Sequence, residues 1–155
     1  MIPVVLDTGV MVKIFVEEQD SSRATALFRA AAEGNFSLAA PDFMAIEFGN
    51  VLWKYVRRSV LREEEAWQAL EEFPYDRIEW LAARPLLKDA FRFAREYDVA
   101  VYDGAFLAGA ESLAVDFVTS DEALHRKVSH RLPWVRLLRD FDAGSATGST
   151  GHRTT

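Results

Sequence analysis

Apolar residues in this chain fall into short unbroken runs that alternate with stretches of helical period. Ile2-Pro3-Val4-Val5-Leu6 is such a run, with three β-branched members, and it stops at Asp7-Thr8-Gly9. That is the pattern of a strand covered on both faces. Val10 and Ile14, with Met11 and Phe15, carry helical spacing to Glu17. Ser21-Ser22 offers caps for a second helix to about Glu33, with Ala24, Leu27, Phe28 and Ala31 on one side and Gly34-Asn35 as its stop. Phe36 to Ala40 reads as a second strand. Pro41-Asp42 opens a third helix with Met44, Phe48, Val51, Leu52 and Tyr55 as its apolar face and Lys54, Arg57 and Arg58 toward its end. Leu61 to Phe73 predicts a fourth helix, apolar at Ala66, Trp67 and Leu70, whose acidic start at Glu63, Glu64 and Glu65 suits the helix dipole.

After Pro74, Arg77 to Leu81 predicts a short strand. Pro85 then stands in a helix first turn, and that helix runs to about Tyr97 with Leu86, Leu87, Ala90, Phe91 and Ala94 on one side. A helix follows with Asp103 in its first turn and small residues at 104, 105, 108, 109 and 110, which permit close packing. Asp116 to Asp121 repeats the logic of the opening: a short apolar strand, the hydroxyl pair Thr119-Ser120, and an acid at the start of a helix from Glu122 to about Ser129. Pro133 to Leu138 predicts the last strand. Strands alternating with helices in this way predict an α/β fold on a mainly parallel sheet.

Length changes the picture little: 155 residues suit one domain, expected over 1–142, with its own core. From Ala143 onward, Ala-Gly-Ser-Ala-Thr-Gly-Ser-Thr-Gly-His-Arg-Thr-Thr has almost nothing to bury and is expected to be a disordered tail over 143–155. The absence of cysteine excludes disulfides, zinc-thiolate sites and thiol catalysis. The opening apolar run is too short for a secretory or membrane-spanning segment, so a soluble cytoplasmic protein is expected. A net charge of -6 argues against a polyanionic partner. The argument weakens if four of the acids gather on a divalent ion, since 18 basic residues then face 20 acidic ones.

Four acids stand out by context. Asp7 ends the first strand, and by itself reads either as the cap of the next helix or as chemistry at a sheet edge. Glu47 has Phe43, Met44 and Val51 among its neighbours one turn away. It is either a border residue reaching solvent or a carboxylate that needs a partner or a metal. Asp103, in a helix first turn, is open to the same two readings as Asp7. Asp121 follows Ser120, itself a good N-cap, which would leave Asp121 free to point into a cleft. Lys88, Arg92 and Arg95 read as a solvated helix face, and His125 and His130 as surface bystanders.

The order of these contexts resembles the PIN domain. The matching pieces are Val4-Val5-Leu6-Asp7-Thr8, Pro41 through Leu52 around Glu47, Val101-Tyr102-Asp103-Gly104-Ala105-Phe106-Leu107-Ala108, and Phe117-Val118-Thr119-Ser120-Asp121. In size the chain is most similar to the VapC-type toxins of toxin-antitoxin pairs. The resemblance implies a three-layer α/β/α sandwich and a metal-dependent endoribonuclease in which Asp7, Glu47, Asp103 and Asp121 are the metal-binding acids. Thr8, Asn50 and Thr119 fall at supporting polar positions, with Ser120 beside them. Gly104 stands where the family often has Ala, and Gly109 where Ala or a larger residue is common.

An all-oxygen donor set suits Mg²⁺ or Mn²⁺, and four carboxylates brought together would repel one another without a cation. The resemblance further implies an RNA substrate, a homodimer and a small antitoxin protein as partner, with no membrane. Candidates to grip RNA are Lys13, Arg57, Arg58, Arg92, Arg126 and Lys127. The competing reading is a non-catalytic PIN-fold module that binds RNA or protein. A phosphatase with Asp7 as nucleophile lacks its second acid, because Gly9 occupies that place.

Overall fold

A computed structural model describes residues 1–143 of the chain. Five strands form one sheet in the order β3-β2-β1-β4-β5, and every neighbouring pair is parallel. They are β1 (Pro3–Leu6), β2 (Ser37–Pro41), β3 (Ile78–Leu81), β4 (Phe117–Thr119) and β5 (Val135–Leu137). Seven helices connect and cover them: α1 (Thr8–Phe15), α2 (Ser21–Ala32), α3 (Met44–Arg57), α4 (Glu63–Glu72), α5 (Ala83–Tyr97), α6 (Val101–Leu113) and α7 (Glu122–Val128). The expected α/β/α sandwich is therefore present, with a sheet that is wholly rather than mainly parallel.

The central strands have no polar face. Val4, Val5 and Leu6 of β1 and Phe117, Val118 and Thr119 of β4 are all buried, as helices on both sides of a parallel sheet require. α6 lies against β1 and β2 and packs on α5. That approach is close because a Cβ on Gly104 would stand 2.2 Å from the Ala90 carbonyl oxygen, so only glycine fits at this crossing.

Several boundaries shift for local reasons. α1 begins at Thr8, two residues ahead of the apolar periodicity, because Asp7 caps it directly. Pro41 ends β2 instead of opening α3, held by its register with Leu81, and the Asp42 N–H donates to the Leu81 carbonyl at 2.8 Å. On α5 the buried stripe is Leu86, Ala90 and Phe93, so Leu87 and Phe91, expected on the same side, point outward. α4 buries Ala66 and Ala69, while Trp67, expected in the apolar face, is 62% exposed. Of the tail expected over 143–155, Ala143 packs against the core and residues 144–155 lie outside the described residues. No helix among the described residues is long and apolar enough to cross a membrane.

Candidate active site

The sheet order reverses direction at β1. From β1 the chain adds β2 and β3 on one side and then β4 and β5 on the other, which leaves a crevice beyond the carboxyl ends of β1 and β4. Asp7 is the first residue past β1. The pairing of Leu6 with Val118 sets it beside Thr119, and the Asp7 N–H donates to the Val118 carbonyl at 3.2 Å. Asp121 lies two residues past β4.

The other two acids reach the same edge on helices. α3 starts just beyond the end of β2 and carries Glu47 in its first turn. α6 leads into β4 and therefore runs back along it, which brings its first turn, with Asp103, to the carboxyl edge. Positions scattered over more than a hundred residues of sequence thus converge at one end of the sheet.

Hydrogen bonds hold these groups in pairs. Asp7 Oδ1 accepts the Val10 N–H at 2.9 Å, while Oδ2 accepts the hydroxyl of Thr119, which is fully buried. The same Thr119 hydroxyl accepts the Asp121 N–H at 3.0 Å. On the other side of the crevice, the buried Thr8 hydroxyl donates to Glu47 Oε1 at 2.9 Å. Asp103 takes a backbone hydrogen bond from Ala100.

Capping therefore does not exhaust Asp7, which uses one oxygen as cap of α1 while the other accepts the Thr119 hydroxyl. Asp121 behaves likewise: its Oδ1 accepts the Leu124 N–H at 3.0 Å and caps α7. This corrects the expectation that Ser120 would be the cap and leave Asp121 unengaged. Ser120 instead contributes its backbone to Asp7, and its hydroxyl fills the space in front of Gly9, where a Cβ would come within 2.7 Å of it. Asn50, one turn beyond Glu47, is exposed and makes no side-chain hydrogen bond among the described residues.

Burial and mutual repulsion set the electrostatics. Burial pushes the Asp7 carboxyl up to about 6, against the hydrogen bonds from Thr119, Val10 and Ser120, and the Asp121 charge pushes the same way as burial. Asp103 is also raised to about 6, first by burial and then by the charges of Asp121 and Glu47, with Ala100 and Lys127 opposing. Burial raises Glu47 as well, against the Thr8 hydrogen bond. The Asp121 charge thus reaches both Asp7 and Asp103, the Glu47 charge reaches Asp103, and Asp7, Glu47 and Asp103 resist ionisation.

Among the described residues no group of three or more His, Asp or Glu side chains is placed to hold a metal ion. The fit to a metal rests on the donor set: converging carboxylate oxygens with a shared deficit of positive charge, the ligands that Mg²⁺ and Mn²⁺ prefer.

The basic candidates separate on pairing. Lys13 is bound to Glu18 at 3.3 Å, Arg126 lies 3.9 Å from Glu122, and Arg92 is held by Glu111 at 2.7 Å as well as by Asp89 and Glu96. Lys127 bonds the Asp98 carbonyl at 2.5 Å and still helps to offset the charge on Asp103. Arg57 and Arg58 are exposed and carry no ion pair among the described residues; with Lys54 they line one surface depression. Sequence reasoning did not count Lys54 among the RNA candidates. Its place seven residues beyond Glu47, on the same helix stripe, is the signal that could have found it.

A model of the PIN domain matches residues 4–129. Ribonuclease VapC3 of Pyrobaculum aerophilum is 35% identical over 125 residues, which span 79% of this chain and 92% of that protein. The crystal structure of PAE2754, also from Pyrobaculum aerophilum, is similar in fold, with a TM-score of 0.67 and 21% identity over 89% of this chain and 85% of that one.

Proposed function

The chain belongs to the PIN-domain family, and from that premise we propose that it is a metal-dependent endoribonuclease, the toxin of a toxin-antitoxin pair. The relationship to a protein named ribonuclease VapC3 supports the substrate class and the toxin role. The observation that carries the catalytic reading is the convergence of Asp7, Glu47, Asp103 and Asp121 at the β1–β4 switch point, where burial raises the proton affinity of Asp7, Glu47 and Asp103 and neighbouring carboxylates add to the rise at Asp7 and Asp103.

In this reading those four carboxylates would hold Mg²⁺ or Mn²⁺, which would supply Lewis acidity toward a phosphodiester. The remaining work falls to the chain itself. Thr119 and the Val10 N–H fix both oxygens of Asp7, so that the carboxylate meets its ligand without searching rotamers. Thr8 does the same for one oxygen of Glu47. Lys127 limits the negative charge around Asp103, which eases the approach of a phosphate. Asn50 and Ser120 stand at the rim as further polar contacts. No protein nucleophile is required in this reading, and among the described residues no side-chain hydrogen bond joins a Ser to a His.

The protein acts as a homodimer in the cytoplasm, where cellular RNA is found, and a small antitoxin protein restrains it. The outward-facing Leu87 and Phe91, one turn apart on α5 and 58% and 62% exposed, support association. The deciding experiment incubates purified protein with single-stranded RNA in Mg²⁺, in Mn²⁺ and in EDTA. Cleavage that needs the metal and disappears in Asp7→Asn and Asp121→Asn supports the reading. Undiminished cleavage in EDTA, or by either variant, overturns it.

A further inference from the structure

We propose that Lys54, Arg57 and Arg58 form a phosphate-binding subsite that holds the RNA strand a few nucleotides away from the acidic crevice. The inference rests on the endoribonuclease reading and adds the path of the substrate to it. Glu47 starts a stripe along α3. At 100° and 1.5 Å per residue, Lys54 falls about 20° behind it and roughly 10 Å along the axis, and Arg58 about 20° ahead of it and roughly 16 Å along. Arg57 flanks the same stripe. One helix thus carries an acid of the crevice at its first turn and three cations at its far end, all reachable by one extended strand.

Their grouping around one depression, without a carboxylate partner, singles these three residues out. Other basic candidates, Lys13, Arg126 and Lys127, each lie close to a carboxylate. Lys54, Arg57 and Arg58 are exposed, line one depression and have no ion pair among the described residues. Three neighbouring cations without counter-charges repel one another, and a polyanion relieves that repulsion. The bland explanation, cations soothing the carbonyl end of the α3 dipole, accounts for basic residues in the last turn. It asks neither for a shared depression nor for alignment with Glu47. In a chain of net charge -6, this unneutralised cluster offers a phosphate backbone a favourable contact.

The test compares the full-length wild type with Lys54→Gln/Arg57→Gln/Arg58→Gln and with the charge-keeping Arg57→Lys/Arg58→Lys. The probe is a fluorescein-labelled single-stranded oligoribonucleotide of mixed sequence, read by anisotropy over a salt series and by cleavage kinetics in Mg²⁺. The triple variant should bind at least about tenfold more weakly. Its slope of log affinity against log salt should fall by about 2, the loss of three phosphate contacts on a single strand. KM should rise with kcat little changed, the melting temperature should stay near that of wild type, and the Lys variant should retain binding. Unaltered affinity and salt slope in the triple variant overturn the subsite, as does a loss of melting temperature without any loss of RNA affinity. A wild type that cleaves RNA while the triple variant behaves identically removes only the subsite. A wild type that neither binds nor cleaves RNA removes the parent reading as well.

Discussion

The Thr119 hydroxyl donates to Asp7 Oδ2 across the seam between β1 and β4 while accepting the backbone N–H of Asp121. One buried side chain therefore locks two of the four acids to each other, and its position follows from the register that pairs Leu6 with Val118.

Replacing Thr119 tests that lock. Thr119→Val keeps the shape but removes the hydroxyl donor to Asp7 Oδ2 and leaves the Asp121 N–H without its acceptor. We expect a loss of about 1–3 kcal/mol of stability by denaturant melts. Cleavage should fall by about 10–100-fold, as for other groups that orient a ligand. Thr119→Ser should restore most of both. A Val variant with wild-type activity and stability would show that the bridge orients nothing.

Asp7→Asn and Asp121→Asn separate capping from chemistry. Asn is as good an N-cap as Asp, so α1 and α7 should persist and the circular dichroism should match wild type. Cleavage should fall by more than about a hundredfold, because the loss of a ligand should cost more than the loss of its support.

The raised carboxyls give metal-free stability an unusual pH dependence. Asp7 and Asp103 titrate near 6 in the fold and near 3.8 when unfolded. Between those values the folded chain holds more protons, so its stability falls as pH rises from about 4 to about 6. In EDTA, melting temperature should be lower at pH 7.5 than at pH 5 as far as these groups contribute, and Asp7→Asn should narrow the gap. Mg²⁺ should raise the melting temperature at pH 7.5 more than at pH 5. A wild type whose EDTA melts show the opposite trend, unchanged by Asp7→Asn, would contradict the assignment.

Two glycines should respond in opposite directions. A Cβ at Gly104 meets the Ala90 carbonyl oxygen at 2.2 Å, and backbone cannot step aside without moving α5. Gly104→Ala should cost about 1–3 kcal/mol. At Gly49, within α3, the nearest atom is Leu70 Cδ2 at 3.9 Å, so Gly49→Ala should be tolerated and gain up to about 1 kcal/mol of helix propensity. Equilibrium unfolding of both variants checks the pair.

Light scattering tests the dimer. The wild type should have twice the mass of one chain, and Leu87→Glu/Phe91→Glu should shift it toward one chain if the exposed face of α5 takes part. A monomeric wild type at high concentration counts against association.

Much of this protein is written in local pattern. Unbroken apolar runs such as Val4-Val5-Leu6 and Phe117-Val118 mark strands buried on both faces, because a strand between two helix layers has no solvent-facing side. The small residues from Gly104 to Ala110 announce a close helix contact, and the four acids stand out because their contexts recur in a family-like order. Chain order alone could not say that β1 would lie between β2 and β4, and that choice is what brings Asp7 against Thr119 and Asp121. Nor could it tell that Asp121, rather than Ser120, would cap α7, since both residue types make good caps and only the backbone geometry decides between them. Helical period likewise left open which neighbouring stripe of α5 would be buried, because Leu86 and Leu87 are equally apolar and packing on α6 selects one of them. The pairing of charges lay furthest beyond the sequence. Arg92 finds a carboxylate on another helix, Glu111 of α6, while Lys54, Arg57 and Arg58 find none among the described residues, since an ion pair depends on distances that only the folded chain sets.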